Sequence, residues 1–147
     1  VVRYSFGAYA VTVLCADPYR LQDYLDTWAG DFPDQIVEFP TNVEQRMDKA
    51  IERFTTAAAD AELTHDGDDT LTRHVRNAVL VKGSKKKARP GEDETIATHY
   101  LKMAKRGDGL WIDAAVAAVL AHEAAAHAIE HGLWKPNYVN IEGALMA

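Results

Sequence analysis

The chain has 147 residues, of which 48% are hydrophobic and 26% are charged, and its formal net charge is −6 at pH 7. These values predict one globular domain, and no apolar run approaches the roughly 18 residues of a membrane span. No signal peptide opens the chain, and a single cysteine, Cys15, cannot form an internal disulfide. We therefore expect a cytoplasmic protein without a membrane partner, in which Cys15 is a reduced, buried thiol.

The first regular element follows a stretch with no clear pattern, residues 1–10. Apolar residues from about 10 to 16 predict a strand buried on both faces, as in a parallel sheet. The strand ends at Asp17, and the next residue, Pro18, suits the first turn of a helix. Asp17 is therefore either a helix N-cap or a carboxylate at the ligand-binding edge of an open α/β sheet, and the local sequence favours the cap.

The following elements continue a β-α-β-α order. Apolar residues at helical spacing predict a helix over 18–29 that ends at Gly30, and a short strand is predicted over 35–39. A long amphipathic helix is predicted from Asn42, whose side chain would cap it, to about Glu62. This order predicts a parallel sheet with helices packed on it.

An acidic turn, His65-Asp66-Gly67-Asp68, interrupts the pattern. A calcium-binding EF-hand is excluded because the twelfth position of such a loop, which requires Glu, is occupied by Asn77. Asp68 or Asp69 is instead expected to cap a helix. One face of that helix would be formed by Leu71, His74, Val75 and Ala78.

Two further strands, 78–81 and 95–103, are predicted to form a hairpin around a long, mobile, charged loop, 82–94. Basic residues concentrate here, because eight of the 16 Lys and Arg residues lie between positions 82 and 106. They could contact DNA phosphates on an otherwise acidic molecule, or form an ordinary solvated loop. The eight are Lys82, Lys85, Lys86, Lys87, Arg89, Lys102, Lys105 and Arg106.

The last predicted helix runs over 112–131 and ends at Gly132. Its His122-Glu123-Ala-Ala-Ala-His127 segment differs from a zinc-protease HExxH motif by one extra residue. A step of five residues turns the second imidazole about 140° away from the first, so the two cannot share a metal. Glu123, His127 and His131 do share one helix face, which could bind a metal but is more typical of a solvated polar stripe.

Asp113 stands at the start of this helix, after the Gly107-Asp-Gly109 turn. The helix dipole favours a carboxylate at this position, so a purely structural role would explain it alone. Together with Asp17, however, it would offer two carboxylates at adjacent strand and helix ends. Such a pair suits Mg²⁺ or Mn²⁺, which prefer oxygen ligands.

The motifs, in this order, resemble the nuclease domain of the large subunit of tailed-phage terminases, over about residues 6 to 132. Residues 133–147 then form a C-terminal tail. The resemblance rests on Cys15-Ala-Asp17-Pro18, Val37-Glu-Phe-Pro-Thr41-Asn42, Arg46-Met47, Ala50-Ile-Glu-Arg53-Phe54, Leu63-Thr-His65-Asp66-Gly67-Asp68, Leu71-Thr-Arg73-His74-Val75, Asn77-Ala78 and Ile112-Asp113-Ala-Ala-Val-Ala-Ala-Val-Leu-Ala121.

The resemblance implies an α/β, ribonuclease-H-like fold, with a mixed sheet and flanking helices. It also implies an endonuclease that cuts concatemeric double-stranded phage DNA in the bacterial host cytoplasm by two-metal hydrolysis. Asp17 would match the acidic residue that ends the fourth strand, and Asp113 the one that starts the last helix; both would hold Mg²⁺ or Mn²⁺. The turn formed by His65, Asp66, Gly67 and Asp68 would lie near this site. The terminase small subunit and the portal or procapsid would be partners of the full-length protein.

Three departures from the family pattern leave an alternative open. A further catalytic Asp of the family lies on a first strand upstream of this chain, so the first strands of the fold are expected to be missing. No GxxxxGK[ST] motif of a motor domain occurs, and Trp111 stands where relatives often have a basic or polar residue. The chain is thus either the nuclease part of a larger terminase or a catalytically incomplete DNA-binding or assembly module, such as a prophage remnant.

Overall fold

The computed structural model of the chain describes residues 1–88 and 95–134. These residues form a mixed α/β architecture of five helices and four strands. In chain order the elements are α1 (Val2–Ala8), β1 (Leu14–Ala16), α2 (Gln22–Asp31), β2 (Ile36–Glu38), α3 (Glu44–Ala59), α4 (Asp69–Asn77), β3 (Ala78–Ala88), β4 (Thr95–Lys105) and α5 (Asp113–Glu130).

The strands pair as the sequence predicts. β1 and β2 are parallel, with Leu14 opposite Ile36 and Ala16 opposite Glu38. β3 and β4 form an antiparallel hairpin, in register along their whole length. The expectation of one mixed sheet is not met in the described part of the chain, where each pair forms a separate two-stranded sheet.

A helix, rather than another strand, covers the outer edge of β4. The backbone N–H of Leu101 donates to the carboxylate of Asp48 on α3, at 2.7 Å. An edge strand leaves such N–H groups without ladder partners, and a side-chain acceptor on a packed helix satisfies one of them. At this position α3, and not another strand, therefore provides the hydrogen-bond acceptor for β4.

The core lies between α3 and α5 and extends to the strands. Its buried cluster consists of Phe39, Met47, Ala50, Ile51, Val119 and Leu120, and Cys15, Phe54, Leu101, Met103 and Val116 pack against it. The amphipathic character predicted for α3 is confirmed, since Met47, Ala50, Ile51 and Ala57 on one side of it are buried. Burying each large aliphatic side chain contributes roughly 1.5–3 kcal/mol, so Ile51 and Val119, both fully buried, are the principal anchors.

The predicted limits of α2 are wrong at both ends. The helix begins at Gln22 rather than at Pro18, because Pro18 and Leu21 close a turn in which Arg20 adopts a left-handed φ of 61°. Gly30 lies inside the helix, which ends at Asp31.

Two further predictions at the beginning of the chain and of α3 also need correction. α3 begins at Glu44, and its N-cap is Val43, so Asn42 does not cap it. The patternless first residues contain the helix α1, which buries none of its side chains. Phe6 of α1 stacks on Phe32 with 4.0 Å between ring centroids, and Arg3 pairs with Asp31 at 2.6 Å, so contacts with the end of α2 hold it.

The hairpin strands are longer than predicted. β3 continues through the lysine run to Ala88, so most of the expected charged loop is strand, while residues 89–94 lie outside the described residues. Gly132 ends α5 as predicted, with a φ of 65°. Of the predicted C-terminal tail, only Leu133 and Trp134 are described. None of the helices within residues 1–88 and 95–134 has the length and apolar character that crossing a membrane requires.

Candidate functional site

Asp17 directly follows β1 and is half-buried. One carboxylate oxygen accepts a hydrogen bond from the Thr41 hydroxyl, and the other accepts the backbone N–H of Tyr19 at 3.0 Å. The second contact is the local turn that Asp side chains commonly form two residues on. Asp17 does not cap α2, whose N-cap is Leu21. Its carboxylate is therefore fixed at the end of the strand by residues on two loops.

α5 lies against β1 and runs in the opposite direction. A groove of about 760 Å³ between them is lined by Val11–Asp17 on one side and by small residues of α5, including Ala117, Ala121 and Ala124, on the other. Just beyond the end of α5, Leu133 lines a small cavity with residues 10–12, which precede β1. The C-terminal end of α5 is therefore at the beginning of β1.

The N-terminal end of α5 is consequently on the Asp17 side of the layer. Thr41, the hydroxyl partner of Asp17, lines a second cavity together with Val116, which lies three residues after Asp113. Asp113 is the first residue of α5 and is exposed. Its carboxylate makes no hydrogen bond or ion pair with any other described residue. The structure thus places Asp17 and Asp113 at one end of the β1–α5 layer.

The oxygen atoms of Asp17, Thr41 and Asp113 are of the type that a hard divalent cation binds, but they are too few to form a complete ligand set. Carboxylate and hydroxyl oxygens are the ligands that Mg²⁺ and Mn²⁺ prefer. The Asp17 carboxylate has lone pairs that its two hydrogen bonds do not use. The Asp113 carboxylate uses none of its lone pairs in contacts with other described residues. Within residues 1–88 and 95–134, however, no group of three or more His, Cys, Asp or Glu side chains is arranged to hold a metal. The two carboxylates can therefore supply only part of a ligand set.

The first turn of α5 is held by two side chains of α4 that had no assigned role in the sequence. The backbone N–H of Ala114 donates to Nδ1 of His74 at 3.0 Å, and the side-chain amide of Asn77 donates to the Trp111 carbonyl at 3.1 Å. Helical spacing alone places His74 on a packing face. Both residues belong to segments on which the resemblance to terminases rests, so the resemblance marks their positions but not their contacts with α5.

The His65–Asp68 turn makes its hydrogen bonds to its own backbone. His65 Nδ1 accepts from Gly67 N–H at 3.0 Å, and Asp66 accepts from Asp68 N–H at 3.1 Å. Asp68 caps α4 as predicted, by accepting from Leu71 N–H at 2.7 Å. Gly67 has a φ of 84°, which favours glycine. The turn therefore shapes the beginning of α4, whose other end braces α5.

The predicted DNA-binding residues are spread along the hairpin. Lys82 and Lys102 are exposed on the two strands. Lys105 lies over the Trp111 ring, with 5.3 Å from its ammonium to the ring centroid, and exposed Arg106 donates its backbone N–H to the Asn77 carbonyl at 2.8 Å. Three others, Lys85, Lys86 and Lys87, lie on β3 instead of in the predicted loop, and Arg89 lies outside the described residues.

The histidine-rich face of α5 is organised by contacts other than metal ligation. Glu123 pairs with Arg53 of α3 at 3.0 Å. His127 and His131 stack with 4.0 Å between centroids, and His131 Nδ1 is 2.9 Å from the His127 carbonyl. Through this ion pair, the Glu123 side chain contacts α3. The polar stripe is therefore partly a helix–helix contact.

Another carboxylate, Glu38, ends β2 beside Asp17 but serves a different face. Glu38 is in register with Ala16, and side chains alternate along a strand, so Glu38 and Asp17 project to opposite faces of the sheet. Its carboxylate accepts from the Gln22 amide on α2 at 2.7 Å. The rule that carboxyl ends of parallel strands share an edge could have found Glu38 in the sequence. Because the Glu38 side chain projects from the opposite face of the sheet, it is not part of the candidate site around Asp17.

Comparison with known proteins connects the chain to phages. It is 30% identical over 130 residues to the "Gene 13 protein" of Mycobacterium phage D29 and, equally, to the "Gene 13 protein" of Mycobacterium phage L5. Each match includes 82% of this chain and 20% of the relative, so the chain spans about a fifth of the length of these curated relatives. No family model matches the chain, and no solved structure matches it. The similarity supports a phage origin.

Proposed function

We propose that this chain is the nuclease domain of a phage terminase large subunit, a metal-dependent endonuclease that cuts concatemeric double-stranded DNA during packaging. Three observations support the proposal. The ordered motifs resemble that family, the relatives are phage proteins, and a mixed α/β architecture is compatible with a ribonuclease-H-like fold. The reaction would take place in the cytoplasm of the bacterial host.

The observation that carries the proposal is the position of the two acidic residues that the resemblance selects. They are 96 positions apart in the chain, yet Thr41, the partner of Asp17, lines one cavity with Val116 in the first turn of the helix that Asp113 begins. The Asp113 carboxylate makes no hydrogen bond or ion pair with other described residues, and it lies at a helix N-terminus, where negative charge is favoured. A carboxylate without a structural partner at such an edge is a good candidate for a ligand.

The chain's own residues would orient the site. Thr41 and the Tyr19 N–H leave the Asp17 carboxylate few orientations, and the beginning of α5 directs Asp113. Bound Mg²⁺ or Mn²⁺ would supply Lewis-acid activation of water and charge stabilisation at the phosphodiester. The exposed Lys82, Lys102, Lys105 and Arg106 would contact DNA phosphates.

The remaining ligand is proposed to come from a further strand of the larger protein, since the chain spans about a fifth of the length of its curated relatives. β1 pairs with β2 along one edge, and no other strand of residues 1–88 and 95–134 pairs with its second edge. An additional strand laid along β1 would end close to Asp17 if it ran parallel to it. The terminase small subunit and the portal or procapsid would contact the larger protein that contains this domain.

Mn²⁺-dependent nicking of a supercoiled plasmid tests the proposal. Asp17→Ala and Asp113→Ala in the full-length protein should each lower the nicking rate by more than about 100-fold, because each removes a charge that stabilises the transition state. Asp108→Ala is the matched control, since Asp108 is an exposed carboxylate five residues before Asp113. Unchanged activity in either of the first two variants would refute the proposal.

The same assay distinguishes the alternative of a DNA-binding or assembly module. Within residues 1–88 and 95–134, no group of three or more His, Cys, Asp or Glu side chains is arranged to hold a metal, which favours that alternative for the chain by itself. Binding to DNA that weakens steeply with salt, without cleavage of any plasmid by the full-length protein, would support it.

A further inference from the structure

We propose that His74 is a positioning residue for Asp113, acting through the first turn of α5; the proposal rests on the proposed nuclease function. His74 does not need to touch metal or DNA for this role. Its ring nitrogen accepts the backbone N–H of the residue that follows Asp113 in the chain. It therefore acts on the direction in which the Asp113 carboxylate leaves the helix.

The beginning of α5 depends on this contact because it lacks a side-chain cap of its own. The N-cap position is occupied by Ile112, which has no polar side-chain atom. The first N–H groups of a helix have no intrahelical acceptor and need a partner from outside. For Ala114 that partner is Nδ1 of His74, at 3.0 Å. Because the backbone group is the donor, Nδ1 must be unprotonated to accept.

A second bond from α4 fixes the other side of Asp113. Asn77 lies three residues after His74, on the same side of α4, and donates to the Trp111 carbonyl at 3.1 Å. The two bonds thus hold the backbone two residues before Asp113 and one residue after it. A helix beginning that is held on both sides cannot fray or rotate freely.

This arrangement gives the acidic turn before α4 a role in the site. Asp68 caps α4, and the turn containing His65 and Asp66 is bonded to its own backbone. The turn sets where α4 begins, and α4 sets where His74 and Asn77 meet α5. The turn therefore acts on Asp113 from a distance.

The test compares His74→Ala with His74→Asn, because the Asn oxygen can occupy the position of Nδ1 and accept the same bond. Thr70→Ala is the control, since Thr70 is an exposed, uncharged residue of α4. One readout, hydrogen exchange of the Ala114 amide in the chain, does not depend on activity. Loss of a hydrogen bond of about 1 kcal/mol should accelerate that exchange about fivefold in His74→Ala, but not in the Asn variant.

The second readout is the Mn²⁺ concentration that gives half-maximal plasmid nicking by the full-length protein. A misdirected carboxylate should raise it about tenfold in His74→Ala, and His74→Asn should restore it. Destabilisation alone would lower the rate at every Mn²⁺ concentration without moving the midpoint. Unchanged Ala114 exchange, an unmoved midpoint, or failure of Asn to restore either value would overturn the proposal. Failure of the nuclease function itself is recognised separately, by full activity of Asp113→Ala.

Discussion

Thr41 is the side chain on which the orientation of Asp17 depends most directly. Thr41→Val keeps the shape of the side chain but removes the hydroxyl that donates to the carboxylate. Because the half-buried carboxylate then lacks a hydrogen-bond donor, the free energy of unfolding should fall by about 1 kcal/mol. Urea denaturation monitored by circular dichroism measures this change. Thr41→Ser keeps the donor and should stay within about 0.5 kcal/mol of the wild type. Equal losses in the two variants would show that the methyl group, not the hydroxyl, matters.

Cys15 is the other residue of β1 with a measurable chemical property. The pKa of its thiol is raised to about 11, mainly by burial and also by the negative charge of Glu123, while the positive charge of Arg46 lowers it. Because the folded-state pKa exceeds the unfolded value, this thiol favours folding below pH of about 9, and the contribution disappears as pH rises towards 11. Cys15 is a free thiol as predicted, but it is half-buried and not fully buried.

The reactivity of Cys15 follows from the same shift. At pH 8 its thiolate fraction should be about 100-fold below that of an unfolded chain, so a thiol reagent such as Ellman's reagent should react about 100-fold more slowly. Comparing native protein with protein in guanidinium chloride measures the ratio. A native rate within about tenfold of the denatured rate would contradict the raised pKa.

At the scale of the elements, α3 and α5 end in the same way with different residues. In each, the second residue after the helix cap donates to the carbonyl five positions back, Glu62 to Ala57 and Leu133 to Ala128. The residue before that donor has a left-handed φ, 57° at Ala61 and 65° at Gly132. Glycine adopts this conformation without the steric cost that alanine bears.

The two helix ends predict opposite effects of reciprocal substitutions. Ala61→Gly should stabilise the protein by about 0.5–1 kcal/mol, and Gly132→Ala should destabilise it by about 1 kcal/mol. Thermal unfolding of both variants measures the difference, and Ala59→Gly, inside α3, serves as the control that should destabilise. A loss of stability in Ala61→Gly would contradict the description of this helix end.

For the whole molecule, the sequence predicted which segments form helices and strands better than it predicted which of these elements contact one another. Apolar patterns identified α3 and α5, which bury one face each, and β1 and β2. The prediction that β1 is buried on both faces is wrong, because its three residues are only partly buried in a two-stranded sheet. Local signals were less reliable, because Gly30 lies inside α2 and Asn42 does not cap α3, whose N-cap is Val43. The roles of Thr41, His74 and Asn77 could not be predicted, because each depends on a contact between segments more than 20 residues apart. Asp17 and Asp113 were selected by resemblance, and the antiparallel packing of α5 on β1 was not foreseen.

An acidic molecule that binds DNA must concentrate its positive charge, and the hairpin offers that concentration. Lys82 and Lys102 are exposed on neighbouring strands of the hairpin, whereas Lys49 is exposed on α3, which is not part of the hairpin. If the hairpin contacts phosphates, Lys82→Gln and Lys102→Gln should each lower the slope of log affinity against log salt by about one, since each contact releases about one counterion. Titration of a fluorescent DNA duplex at several NaCl concentrations measures the slope. Lys49→Gln removes the same charge and should leave the slope unchanged; an equal decrease in all three variants would indicate that net charge, not the hairpin, governs binding.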